Sequence, residues 1–271
     1  MTQENLIITK NLKTMKNLKK IVSVIVLIMF VMTVKAQNND YSNVGTLHNE
    51  LLNEVLKPLV EKYRKDNTID VRKEVLLQIK NALSNSEKFK GMFTTKEIKK
   101  TIENIPDYIF ENSNSYELLE SVKKDTNMSS ELYSLIKNDV SFVESNTDYN
   151  EIMEYLTSKE ENIPELSSKE QNSYIAFLST MKSSLFYWSK EGNNNYDYIM
   201  KSAKGGPCLE DEIIYSVPHL FPGDDIVIDD ALGAIAGGLR GGGLIGALIW
   251  GSVSSLSTAI HDVQDNIDNL D

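Results

Sequence analysis

Side chains able to carry chemistry are sparse in this chain, which has three histidines and one cysteine in 271 residues. The densest polar group is Tyr41-Ser-Asn43-Val44-Gly45-Thr-Leu-His48-Asn49. A His–Asn pair beside a glycine at a helix start suits a small ligand. The same groups serve equally well to bond the backbone and fix the entry of the chain, and that structural reading is preferred. His48 lies one helical turn from Val44 and from Leu52, at the border of an apolar face. Cys208 and His219 form a thiol–imidazole pair by residue type alone; a buried, inert cysteine is the expectation. Glu210, Asp211, Glu212, Asp224, Asp225, Asp229 and Asp230 offer carboxylate oxygens for calcium. Their spacing matches no EF-hand loop, so a solvated acidic surface is expected. The sequence holds no G-x-x-x-x-G-K-[ST], H-E-x-x-H, C-x-x-C or G-x-S-x-G pattern. No catalytic, cofactor-binding or metal-ligating residue is assigned, and the chain reads as a non-enzyme.

The stretch 231–260, ALGAIAGGLRGGGLIGALIWGSVSSLSTAI, carries one charge, Arg240, and eight of the fourteen glycines. Gly233, Gly237 and Gly241 are spaced by four, as are Gly238, Gly242 and Gly246. Glycine inside a helix costs about 1 kcal/mol against alanine. Close backbone approach, as in small-xxx-small helix packing, offsets that cost. A glycine zipper is therefore expected, folded as a hairpin with helices at 230–239 and 244–260 and a break at Gly241–Gly243. Asp229 and Asp230 would mark its start, where free N–H groups want an acceptor. The competing reading is a single membrane span over Gly241–Ile260.

These segments need positioning elements, and the pattern supplies helices. Thr94-x-x-Glu97, Asn114-x-x-Glu117, Asp148-x-x-Glu151 and Ser167-x-x-Glu170 are capping boxes. A helix is expected from Ser168 to Lys190, with Tyr174, Phe177, Leu178, Met181, Leu185 and Trp188 on one core face. Another starts near Asn43 with Val44, Leu47, Leu51, Leu52, Val55, Leu59 and Tyr63, and Pro58 should kink or divide it. Further helices are expected at 69–84, 94–104, 115–124, 129–144 and 148–158. Ile213–Val217 is the best strand candidate and Ile226-Val227-Ile228 a weaker one. The fold class is all-α: a multi-helix body with a C-terminal glycine-rich helical hairpin.

Address and charge bound the function. Lys16, Lys19 and Lys20 precede an apolar run, Ile21–Val34, of about 14 residues that closes at Val34-Lys35-Ala36, a secretory-signal pattern. Met15 sits just before this pattern, so residues 1–14 read as an over-extended start. The formal charge is −11, from 28 basic and 39 acidic side chains. Removal of residues 1–36, with six lysines and one glutamate, leaves 22 basic and 38 acidic side chains, a net of −16. Such acidity disfavours nucleic acid as a partner. The organisation expected is a signal peptide at 1–36, a helical body at 37–191, a linker-like acidic region at 192–230, and the glycine-rich segment with a polar tail at 231–271.

Together, Asn43-Val44-Gly45-x-x-His48-Asn49 and Asp230-Ala-x-Gly233-Ala-x-Ala-Gly237-Gly238 resemble the ends of poorly characterised secreted helical proteins of Bacteroidota-type bacteria. The glycine-rich end also resembles the hydrophobic segment of double-glycine bacteriocin precursors. This resemblance implies no known activity and no catalytic residue. Asn43, Gly45, His48, Asn49, Gly233, Gly237, Gly238, Gly241, Gly242 and Gly246 are the residues expected to serve structure or interaction. The function expected is that of an exported, non-enzymatic periplasmic, envelope or extracellular protein acting through protein or membrane contacts, with membrane contact through 231–260. The alternative is a bacteriocin-like protein that inserts this segment. No cofactor is expected.

Overall fold

A computed structural model describes residues 40–66, 68–111, 114–197, 199 and 224–268. The signal-like segment, Cys208, His219 and the strand candidate Ile213–Val217 lie outside the described residues, as does most of the acidic region. Among the described residues there are nine long helices and no strand. They are α1 (Val44–Lys65), α2 (Val71–Asn85), α3 (Thr95–Glu103), α4 (Ser115–Thr126), α5 (Ser130–Ser145), α6 (Tyr149–Glu161), α7 (Ser168–Trp188), α8 (Asp224–Gly237) and α9 (Gly243–Asp268).

Local sequence explains where the helices begin. Thr94 accepts from the Glu97 N–H while the Glu97 carboxylate takes the Thr94 N–H at 2.8 Å, a complete capping box. Asn114, Asp148 and Ser167 likewise accept from the backbone N–H three residues on. Asp70 and Ser129 cap α2 and α5 in the same way without a glutamate at the third position, so the box pattern passes over them. α7 ends at Trp188, two residues before the expected Lys190, and Asn194 beyond it is in the left-handed region at φ 53°. The division expected at Pro58 does not occur: α1 runs as one helix with the proline inside it. Its fully buried apolar side chains, Leu51, Leu52, Val55 and Leu59 among them, anchor both sides of the proline. Burial of one such side chain contributes roughly 1.5–3 kcal/mol, which offsets one lost backbone bond.

The most apolar part of the chain forms the centre. α8 and α9 pack chiefly on one another, α8 also against α7 and α4, and α9 against α1, α2 and α3. Every residue from Ile226 to Leu239 is buried. The aromatic stripe of α7 is core, with Tyr174, Phe177, Met181, Leu185 and Trp188 at 0% exposure. Between α8 and α9 lies a π-helical turn, Gly238–Gly242, in which Gly241 has φ +91°; Gly243 follows at φ +57°. Those are left-handed backbone angles that glycine adopts without a Cβ penalty. The break thus falls where the glycine run placed it.

The hairpin departs from expectation at its start. α8 begins at Asp224, not near residue 230, so Ile226-Val227-Ile228 is helical and not a strand. Asp229 and Asp230 are neither caps nor solvated surface: both are buried inside the helix. Three adjacent β-branched residues raise strand propensity, but burial of all three against the body overrides it.

Candidate functional site

Two sequence motifs meet at the centre of the bundle. At the start of α1, Asn43 occupies the N-cap position without a side-chain capping bond. The Gly45 N–H donates to Ser179 Oγ of α7 at 3.1 Å, and Ser179 Oγ donates to the Ser42 carbonyl at 2.5 Å. A Cβ on Gly45 would fall on the Ser179 carbonyl, so glycine is what allows α1 and α7 to approach. One turn further on, Asn49 Nδ2 donates to the Ser183 carbonyl at 2.7 Å. Its Oδ1 lies 3.1 Å from His48 Nδ1. With Oδ1 an acceptor, this bond assigns the Nδ1–H tautomer to His48.

The other ring nitrogen of His48 points at α8. Nε2 lies 3.5 Å from Asp230 Oδ2, and both residues are completely buried. Ser184 Oγ donates to the same Oδ2, and Trp188 Nε1 does so at 3.2 Å. Its neighbour Asp229 accepts from Thr258 of α9 at 2.9 Å. Side chains of α1, α7, α8 and α9 thus converge on two adjacent carboxyl groups. His48 is not at the border of the apolar face, as its spacing suggested; it is inside.

Burial dominates the electrostatics. Desolvation lowers the His48 pKa to about 4, against the opposing hydrogen bonds of Asn49 and the Gly251 backbone. Desolvation raises Asp229 to about 8 and pushes Asp230 well above the usual carboxylate range, against the hydrogen bonds of Ser184, Ser255 and Trp188. Both members of the His48–Asp230 pair therefore favour the neutral form, since a charge in this environment lacks water to solvate it.

Serine, histidine and aspartate together invite comparison with a nucleophilic triad. The connectivity differs: Ser184 and His48 both address Asp230, and no hydrogen bond joins serine to histidine among the described contacts. All three are at 0% exposure, so no substrate reaches them. The cluster works as an internal joint between the hairpin and α1 and α7. Among the described residues no group of three or more His, Cys, Asp or Glu side chains is placed to hold a metal ion.

The glycines divide by role. A Cβ on Gly237 would fall on the Gly246 carbonyl, and one on Gly246 would fall on the Gly237 carbonyl. At Gly233 it would meet the Trp250 carbonyl at 2.6 Å, and at Gly238 the Ser173 hydroxyl at 2.7 Å. Gly242 is tight against the Gly237 carbonyl at 3.1 Å, whereas Gly241 faces open space. Sequence reasoning found His48, Asn49 and these glycines, placed Asp229 and Asp230 at the surface and the helix start, and missed Ser183 and Ser184. The available signal was two aspartates following Ile226-Val227-Ile228 and leading directly into an apolar helical run.

No protein-family model, curated protein or solved structure matches the chain.

Proposed function

We propose that the chain is an exported, non-enzymatic envelope or extracellular protein that acts through protein or membrane contacts. The observation carrying this reading is the enclosure of His48, Asp230 and Ser184, which hold the hairpin to α1 and α7 and face no cleft. The chemistry-bearing side chains serve packing, and the polar outer faces of the amphipathic helices are left for contacts. We read the contacts at Gly233, Gly237 and Gly246 as a glycine zipper that gives this exported protein a core without disulfides. Fractionation of producing cells, with mass spectrometry of the mature N-terminus, tests the address. Recovery outside the cytoplasm with Gln37 as first residue is expected. Cytoplasmic recovery with Leu18–Lys20 retained overturns export, and turnover in a broad hydrolase screen overturns the non-enzymatic assignment.

A second reading is a bacteriocin-like protein whose hairpin inserts into a bilayer, in the manner of the segment it resembles. Asp225–Gln264 favours it, being long and apolar enough by composition to cross a membrane. Most of that stretch is buried within the protein, which favours the packed core instead. Dye leakage from liposomes separates the two: leakage supports insertion, and intact vesicles support the packed hairpin.

A further inference from the structure

The hairpin tip, the start of α9 and the exposed side of α3 meet around a cleft of about 500 Å³. Glu97, Lys100, Thr101 and Asn104 of α3 line it on one side, and Arg240 and Gly241 of the tip on the other. Trp250, buried and donating from Nε1 to the Thr101 carbonyl at 3.4 Å, forms part of its wall. Arg240 also reaches α4, pairing with Asp125 at 2.8 Å.

Charge at this place runs against the rest of the molecule. The whole chain carries −11, yet residues 95–104, residues 120–128 and Arg240 hold six basic and four acidic side chains. Each of the four acids already has a partner: Glu97 accepts from Thr94 in its capping box, Glu103 pairs with Lys99 at 3.7 Å, Glu120 accepts from the Tyr133 hydroxyl, and Asp125 pairs with Arg240. Lys96, Lys100 and Lys124 are exposed, and among the described residues none of them makes an ion pair. Lys96 and Lys100 are four residues apart on α3 and share one face.

We propose that this basic surface around the hairpin tip docks the protein on an anionic lipid bilayer. The inference rests on the membrane-contact reading of the preceding subsection and names the lipid chemistry and the contacting surface. An acidic body is repelled by anionic headgroups, so a locally positive region sets the orientation of approach. Three lysines near such a surface contribute well over a tenfold change in partitioning. The cleft between Lys100 and Arg240 has room for a phosphate headgroup. This approach also brings the glycine-rich tip, Gly241 to Gly243, to the membrane first.

Co-sedimentation of the purified mature chain with vesicles tests the proposal, using phosphatidylcholine alone and phosphatidylcholine mixed with phosphatidylglycerol. Binding at least about tenfold tighter to the mixed vesicles is expected, weakening as salt is raised. The variant K96E/K100E/K124E should lose at least about tenfold of that binding, and K96Q/K100Q/K124Q should lose less. Thermal melts of both variants check that these exposed changes leave the fold intact. Inorganic phosphate at equal concentration should not displace the protein from vesicles; displacement would make the site one for a free anion and overturn docking. Equal binding to both vesicle types, or binding unchanged in both variants, overturns this surface while leaving membrane contact standing. Binding to neither vesicle overturns both.

Discussion

His48 Nε2 and Asp230 Oδ2 lie 3.5 Å apart in the interior, joining the first helix of the bundle to the first arm of the hairpin. Through this contact the Asn43–Asn49 start and the Asp230–Gly238 stretch become parts of one structure. Asn49 extends the joint to α7 through the Ser183 carbonyl, and Ser184 and Trp188 close it around the carboxyl group.

Truncating this joint should destabilise the protein without any cost to a surface site. His48→Ala leaves the Asp230 carboxyl and Asn49 Oδ1 short of partners in a buried place, costing about 1–3 kcal/mol. Asp230→Asn keeps a neutral group of the same shape, so it should cost less than Asp230→Ala. Thermal or urea unfolding measures the order; equal losses for Asp230→Asn and Asp230→Ala would show that the carboxyl proton and shape are immaterial.

Stability should fall as the solution becomes alkaline. Asp229 titrates near pH 8 when folded against 3.8 when exposed, so its contribution is complete below pH 3.8 and is lost as pH rises through about 8. Asp230 acts in the same direction. His48, lowered from 6.5 to about 4, contributes stability above pH 6.5 that is lost as pH falls through about 4. The two slopes oppose between pH 4 and 6.5, and only the aspartate slope remains between pH 6.5 and 8. A melting series over that upper window should show Tm falling with pH, and Asp229→Asn should flatten the fall. A Tm that rises there would contradict the neutral, buried carboxyl groups.

The glycines should separate by substitution. Gly237→Leu or Gly246→Ala drives a side chain into a facing carbonyl and should cost at least about 1–3 kcal/mol. Gly241→Ala meets no atom within 4 Å, and its cost, about 1–2 kcal/mol, comes from the positive φ alone. Denaturant midpoints of the three variants check the ranking. Equal midpoints would mean that the arms do not touch at Gly237 and Gly246.

The elements legible in the sequence are those governed by neighbours in the chain. Thr94 with Glu97 and Ser167 with Glu170 encode helix starts within four residues, and the α7 stripe from Tyr174 to Trp188 encodes a buried face within one helix. The glycine run encodes its own turn at Gly241. What was not legible depends on distant partners. Asp229 and Asp230 read as a solvated cap because unpaired carboxylates belong at the surface. Thr258, Ser255, Ser184, Trp188 and His48, brought in by three other helices, make their burial tolerable. His48 was misplaced for the same reason: one face of α1 is visible in the sequence, but α7 and α9 packed over it, and the Asp230 side chain reaching it from α8, are not.

The central claim is that the glycine-rich hairpin is the packed core of the protein and is held there by the His48–Asp230 joint. Hydrogen–deuterium exchange of the purified mature chain, resolved by mass spectrometry, tests it most directly. Amides from Ile226–Gly237 and Leu244–Ile260 should be among the slowest, exchanging only through global unfolding, and should speed up in the His48→Ala variant. Rapid exchange of these peptides while α1 and α7 stay protected would contradict the account.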